Sequence, residues 1–121
     1  MDRLWLGIGS LLGLVGVIMA ALAAHALPGR ITPEALGLVH TAIEMQMWHA
    51  LALLGCGILA RIGAGPRRVM IAGAAFALGT VLFCGAVYSL ALAGVEVPAV
   101  APTGGFLVMA GWVSLGSLAF G

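Results

Sequence analysis

The sequence predicts an all-α membrane protein, a four-transmembrane-helix bundle with both termini cytoplasmic. Three observations point there. Hydrophobic residues make up 63% of the chain and charged residues only 7%, against roughly 25% charged in an average soluble domain. Mean hydropathy is +1.20. Four apolar runs of about 18–28 residues are separated by short breaks, and a bilayer core needs about 20 helical residues. A chain of 121 residues has too little interior to bury so much apolar surface in water. Closed helices satisfy every backbone group in lipid, so the Val/Ile runs read as helix rather than open sheet. One compact domain over residues 1–121 is the expected organisation.

The first helix is expected at about 4–27, ending at Leu27–Pro28–Gly29, a stop signal. Its short basic start and the small residues of 20–26 resemble a signal peptide. The apolar run exceeds an h-region of about 7–15 residues, so it is read as a span. The second helix is expected at about 33–61, with Thr32 as N-cap, Pro33 in the first turn and Glu34 at the positive end of the dipole. The break at 62–66 carries two glycines and a proline. The third helix follows at about 67–94, and the loop at 95–102 leads to a fourth at about 103–120, capped by Thr103.

An even number of spans puts both termini on one side. Arg3, Arg61, Arg67 and Arg68 fall on that side and Arg30 on the other, so the positive-inside rule makes it the cytoplasm. A net charge of +1 with no lysine offers no basic patch for nucleic acid. Cys56 and Cys84 sit at depths about 15 Å apart, too far for a disulfide, and are read as free packing thiols. Several of the nineteen glycines, among them Gly9-x-x-x-Gly13, Gly16, Gly73, Gly79 and Gly111, suit close helix packing, within the bundle or between protomers. Gly7, Gly55, Gly85 and Gly116 are read the same way.

The second helix holds the informative residues: His40, Thr41, Glu44, Gln46 and His49. Ionisable groups in a span are costly, about 2.5–3.5 kcal/mol for Asp, Lys or Arg at a helix centre. With His40 at 0°, Glu44 lies near 40°, His49 near 180° and Gln46 near 240°, at about 100° per residue. His40 and Glu44 can therefore pair, while Gln46 and His49 face elsewhere. His25, Tyr88 and Thr103 fall at the outer level too. A polar pocket in the outer half, made by His25, Thr41, Glu44, Gln46, Tyr88 and Thr103, is geometrically available, with His40 and His49 beside it.

Each residue has a plainer reading. Thr41 and Gln46 suit interhelical hydrogen bonds, Tyr88 the interfacial belt, and His25 a helix C-terminal cation. Glu44 with His40 is either a structural pair or a proton or ligand site. His49 suits a packed core histidine. Trp48 and Trp112 lie mid-helix and suit packing or a stacked apolar ligand. No catalytic set is found: no nucleophile elbow, phosphate loop or carboxylate pair. HxxxE at His40–Glu44 offers too few ligands for zinc. The histidines show no diagnostic spacing for haem, so no cofactor is expected, with haem or quinone binding as the outlying alternative.

Ala24–His25–Ala26–Leu27 is followed by Thr41–Ala42, Gln46 and His49–Ala50–Leu51–Ala52–Leu53–Leu54. Then come Phe83–Cys84–Gly85–Ala86–Val87–Tyr88 and Pro102–Thr103–Gly104–Gly105 with Gly111–Trp112. In this order they resemble, over nearly the whole chain, the small four-helix membrane family called domain of unknown function 423. The chain departs from that pattern at Ala23 and Met45, where glycine and tyrosine are usual, near Cys84, where a serine is usual, and in the order of residues 101–105. The resemblance implies the same fold in a bacterial inner membrane and implies no activity.

The function expected is that of a non-enzymatic accessory or assembly subunit, packing in the lipid bilayer against a larger membrane protein complex or as a homo-oligomer. The alternative is a small transporter or proton relay using His40, Glu44, Gln46 and His49.

Overall fold

A computed structural model describes residues 1–121. Helix α1 spans Asp2–His25, α2 Pro33–Arg61, α3 Pro66–Ala93 and α4 Val100–Gly116, and a 3-10 turn over Ser117–Phe120 extends α4. All four are long and apolar enough to cross a membrane, and α2, with a mean hydropathy of 1.3, is the least apolar. The four-span architecture expected from the sequence is the one observed.

The ends follow local chemistry. Thr32 caps α2 as expected, its Oγ1 accepting from Ala35 N at 3.1 Å, with Pro33 in the first turn. Thr32→Ala is expected to cost about 1 kcal/mol, read as a lower unfolding midpoint in a denaturing-detergent titration. Gly94 ends α3 at φ 66°, where its amide bonds back to Leu90 O and Val95 N reaches Ser89 O at 3.2 Å. This is a left-handed cap that an L side chain would strain.

One boundary is corrected. α4 starts at Val100, with Ala99 as N-cap and no side-chain cap. Pro102 therefore lies inside the first turn, where its missing N–H leaves nothing unsatisfied. Thr103 is not the cap; its hydroxyl donates back to Ala99 O at 2.6 Å.

Consecutive helices run antiparallel and pack on their chain neighbours. α2 and α3 are central, with 39% and 44% of their spans buried, against 17% for α1 and α4. α1 reaches α3 where Trp5 lies over Gly73; a Cβ there would sit 2.3 Å from the indole. At the arginine-bearing end, Arg61 Nε donates to Asp2 Oδ2 at 2.9 Å. Arg68 Nη1 donates to Ser117 O at 2.9 Å and Ser114 Oγ to Arg68 O at 2.9 Å. These contacts tie α1 to α2 and α3 to α4.

Two apolar clusters fill the bundle. The larger, including Trp5, Leu53, Val69, Phe76 and Val108, occupies the arginine-bearing half. The smaller, around Ala23, Val39 and Ala91, occupies the opposite half. The buried polar residues Gln46, His49 and Thr80 come from the middle of α2 and α3, between the clusters. Cys56 and Cys84 are buried and free, as their depths implied.

Candidate functional site

The polar layer between the clusters is organised by α2. Its inward stripe runs Val39, Ala42, Gln46, His49, Leu53 and Cys56, all buried. Steps of three and four residues keep these on one helix face.

Gln46 joins three helices. Its Nε2 donates to Leu12 O on α1 at 2.9 Å, and its Oε1 accepts from the Tyr88 hydroxyl on α3 at 2.7 Å. A carbonyl only accepts, so the amide orientation is set by Leu12. Cys84 Sγ adds a weak bond to Ala42 O at 3.3 Å.

His49 joins α2 to α4. Trp112 Nε1 meets His49 Nε2 at 3.0 Å, and His49 Nδ1 lies 2.6 Å from Met45 O. Indole N–H is a donor only, so Nε2 must accept and Nδ1 must carry the proton. The imidazole is thereby held as the neutral Nδ1–H tautomer, with both nitrogens engaged. Phe76 completes the cluster: its ring meets Trp112 edge-to-face at 4.9 Å between centroids and His49 at a tilt at 5.6 Å, both within the separation that aromatic pairs prefer.

The expected outer pocket is corrected here. Of the eight candidates, the structure brings Gln46 and Tyr88 into contact and places His49 on the same buried stripe. His25, His40, Thr41, Glu44 and Thr103 are exposed on helix surfaces. Thr41 Oγ1 donates to its own helix at Gly37 O, 3.2 Å away. The only ion pairs are those of Asp2 with the N-terminus and with Arg61, so His40 and Glu44 do not pair. The physical reason is rotational. With Val39 facing the core, Glu44 lies about 140° around α2 and His40 about 100°, so inward placement of Gln46 and His49 turns both outward.

Two participants were not read from the sequence. Thr80 is buried and its hydroxyl has no hydrogen-bond partner. Thr80, Cys84 and Tyr88 recur every four residues, and this spacing on one face of α3 was the available signal. Trp112 was read as mid-helix packing; its role as donor to His49 depends on how α4 docks.

Comparison with known proteins places this geometry in a family. A family model described as "Protein of unknown function (DUF423)" matches residues 19–105. The chain is similar to UPF0382 membrane protein SH2409 of Staphylococcus haemolyticus, 33% identical over 93% of this chain and 92% of that one. It is similar to UPF0382 inner membrane protein YgdD of Escherichia coli, 36% identical over 92% and 85%, and to UPF0382 membrane protein YwdK of Bacillus subtilis, 31% identical over 93% of each. No solved structure matches. Four spanning helices, a match over most of the chain and relatives of nearly equal length lead to one conclusion: this multi-pass bacterial inner-membrane protein belongs to the DUF423 family.

Proposed function

We propose that the chain is a non-enzymatic accessory or assembly subunit that packs against other protein in the bilayer, with both termini in the cytoplasm. One observation carries this reading. Glu44 lies exposed on α2, close to the middle of a span, with no ion-pair or hydrogen-bond partner in its own chain. Ionisable side chains at membrane depth face protein or a watery cavity rather than lipid. The cluster of Arg3, Arg61, Arg67 and Arg68 at one end supports the orientation.

The relay alternative needs His40, Glu44, Gln46 and His49 in one chain of donors and acceptors. They lie on opposite faces of α2, and the ring nitrogens of His49 are committed to Met45 and Trp112. For the same reason His49 offers no free nitrogen to a haem iron.

The test is migration after mild-detergent extraction from native membranes, alongside proton flux in liposomes. An assembly larger than one chain is expected, with background flux that Glu44→Gln and His49→Ala leave unchanged. A lone chain in detergent and in membranes, or flux abolished by either substitution, would overturn the reading.

A further inference from the structure

The outward face of α2 has a regular construction. Gly37, Thr41, Glu44, Trp48, Leu51 and Ile58 follow one another by four, three, four, three and seven residues, with Gly55 in the gap. This is a heptad repeat, the spacing by which one helix meets another along a left-handed seam. It runs directly opposite the buried stripe of Val39, Gln46 and Leu53. Both stripes of α2 are therefore built for helix contact, and the bundle uses only one.

The unused stripe is open. Trp48, Leu51 and Ile58 are 56%, 64% and 59% exposed. A Cβ on Gly37 or Gly55 would meet nothing within 4 Å, so an approaching backbone is unobstructed there. α2 is 29 residues long with its midpoint at Met47, so Glu44 lies about 4.5 Å from that midpoint.

We propose that this stripe is a homodimer seam, on which α2 of a second copy packs and the Glu44 carboxyl of each copy is hydrogen-bonded by His40 of the other. The inference rests on the reading that protein covers this face. Charge complementarity selects the occupant. The face carries an acid and an imidazole one turn apart that do not pair with each other. A two-fold axis along the bilayer normal brings equal depths together, so a second copy supplies an imidazole to each acid without any further partner. Glu44 and the partner's His40 then differ in depth by one turn, about 6 Å, an offset that two long side chains flanking a parallel seam can span.

Cysteine cross-linking of the full chain in native membranes tests this. Leu51→Cys is expected to give an oxidised species of twice the chain mass, and Ile58→Cys, on the same stripe, repeats the test at another depth. Val113→Cys, on the outward face of α4 at a position 74% exposed, should not. Adding Glu44→Ala to Leu51→Cys should reduce the cross-linked fraction about threefold or more. Equal dimer yield from Val113→Cys, or no effect of Glu44→Ala, overturns the seam. Adducts only with a protein of another mass overturn the second copy as occupant while leaving the accessory-subunit reading intact. Monomer alone at both Leu51→Cys and Ile58→Cys, with thiols that a maleimide still labels, overturns both.

Discussion

Gly104→Ala is expected to lower stability by about 3 kcal/mol, the upper end for forcing atoms into a packed interior, by driving α4 off α3. A Cβ at Gly104 would lie 2.5 Å from Phe83 N, 2.6 Å from Gly79 O and 3.0 Å from Phe83 Cα. All three are backbone atoms, so no rotamer change relieves the clash and the helices must part. Gly79 faces the same seam from the other side, where a Cβ would lie 2.7 Å from Gly104 O. In lipid, apolar side chains gain little by leaving the solvent, and close dispersion contact between backbones has to hold helices together. Losing that contact therefore removes much of what seats α4. The adjacent position is the internal control: a Cβ at Gly105 meets nothing within 4 Å, and Gly105→Ala should leave stability unchanged. Unfolding titrations with a denaturing detergent distinguish the two variants, and equal midpoints would refute the argument.

Gln46→Leu is expected to cost about 1–3 kcal/mol, the range for stranding buried polar groups. The substitution removes the acceptor of the Tyr88 hydroxyl and the donor to Leu12 O in one step, loosening α1 and α3 from α2 together. Tyr88→Phe removes only one of these bonds and no volume of note, so about 0.6 kcal/mol is expected. The pair forms a double-mutant cycle. Because Gln46 and Tyr88 share a bond, the double variant should be less destabilised than the sum of the single ones. Strict additivity would show that the bond contributes nothing to folding.

Much of the fold was legible because lipid imposes simple rules. Span length, the Thr32 cap and the separation of Cys56 from Cys84 all follow from rise per residue and local backbone chemistry. The start of α4 was misjudged because Pro102 was read as lying before the helix rather than within its first turn. The candidate site was legible in depth but not in rotation. Sequence gives distance along an axis; which way a helix turns about that axis is decided by its neighbours. In a soluble helix the apolar face answers that question, but α2 carries apolar residues on both sides, Leu53 inward and Leu51 outward. Gln46 and Tyr88 were both singled out and do meet, whereas Glu44, His40 and Thr41 were assigned to the wrong side.

The glycines divide by the same cause. Gly9, Gly16, Gly73, Gly79 and Gly111 do lie at tight contacts, while Gly7, Gly55, Gly85 and Gly116 face open space. Gly57, packed against Leu6, and Gly104, noted only within the Pro102–Gly105 motif, were not read as packing glycines although both sit at tight crossings.

The side-chain hydrogen bonds that link the α1–α2 pair to the α3–α4 pair share a direction. Tyr88, Cys84 and Trp112 donate; Gln46, Ala42 and His49 on α2 accept. The chain thus consists of a socket half and a plug half. At these three contacts each half presents what the other lacks there, a donor against an acceptor. Sliding either half along the bundle axis by one turn would break all three bonds together, so the polar layer fixes the register at which the halves dock.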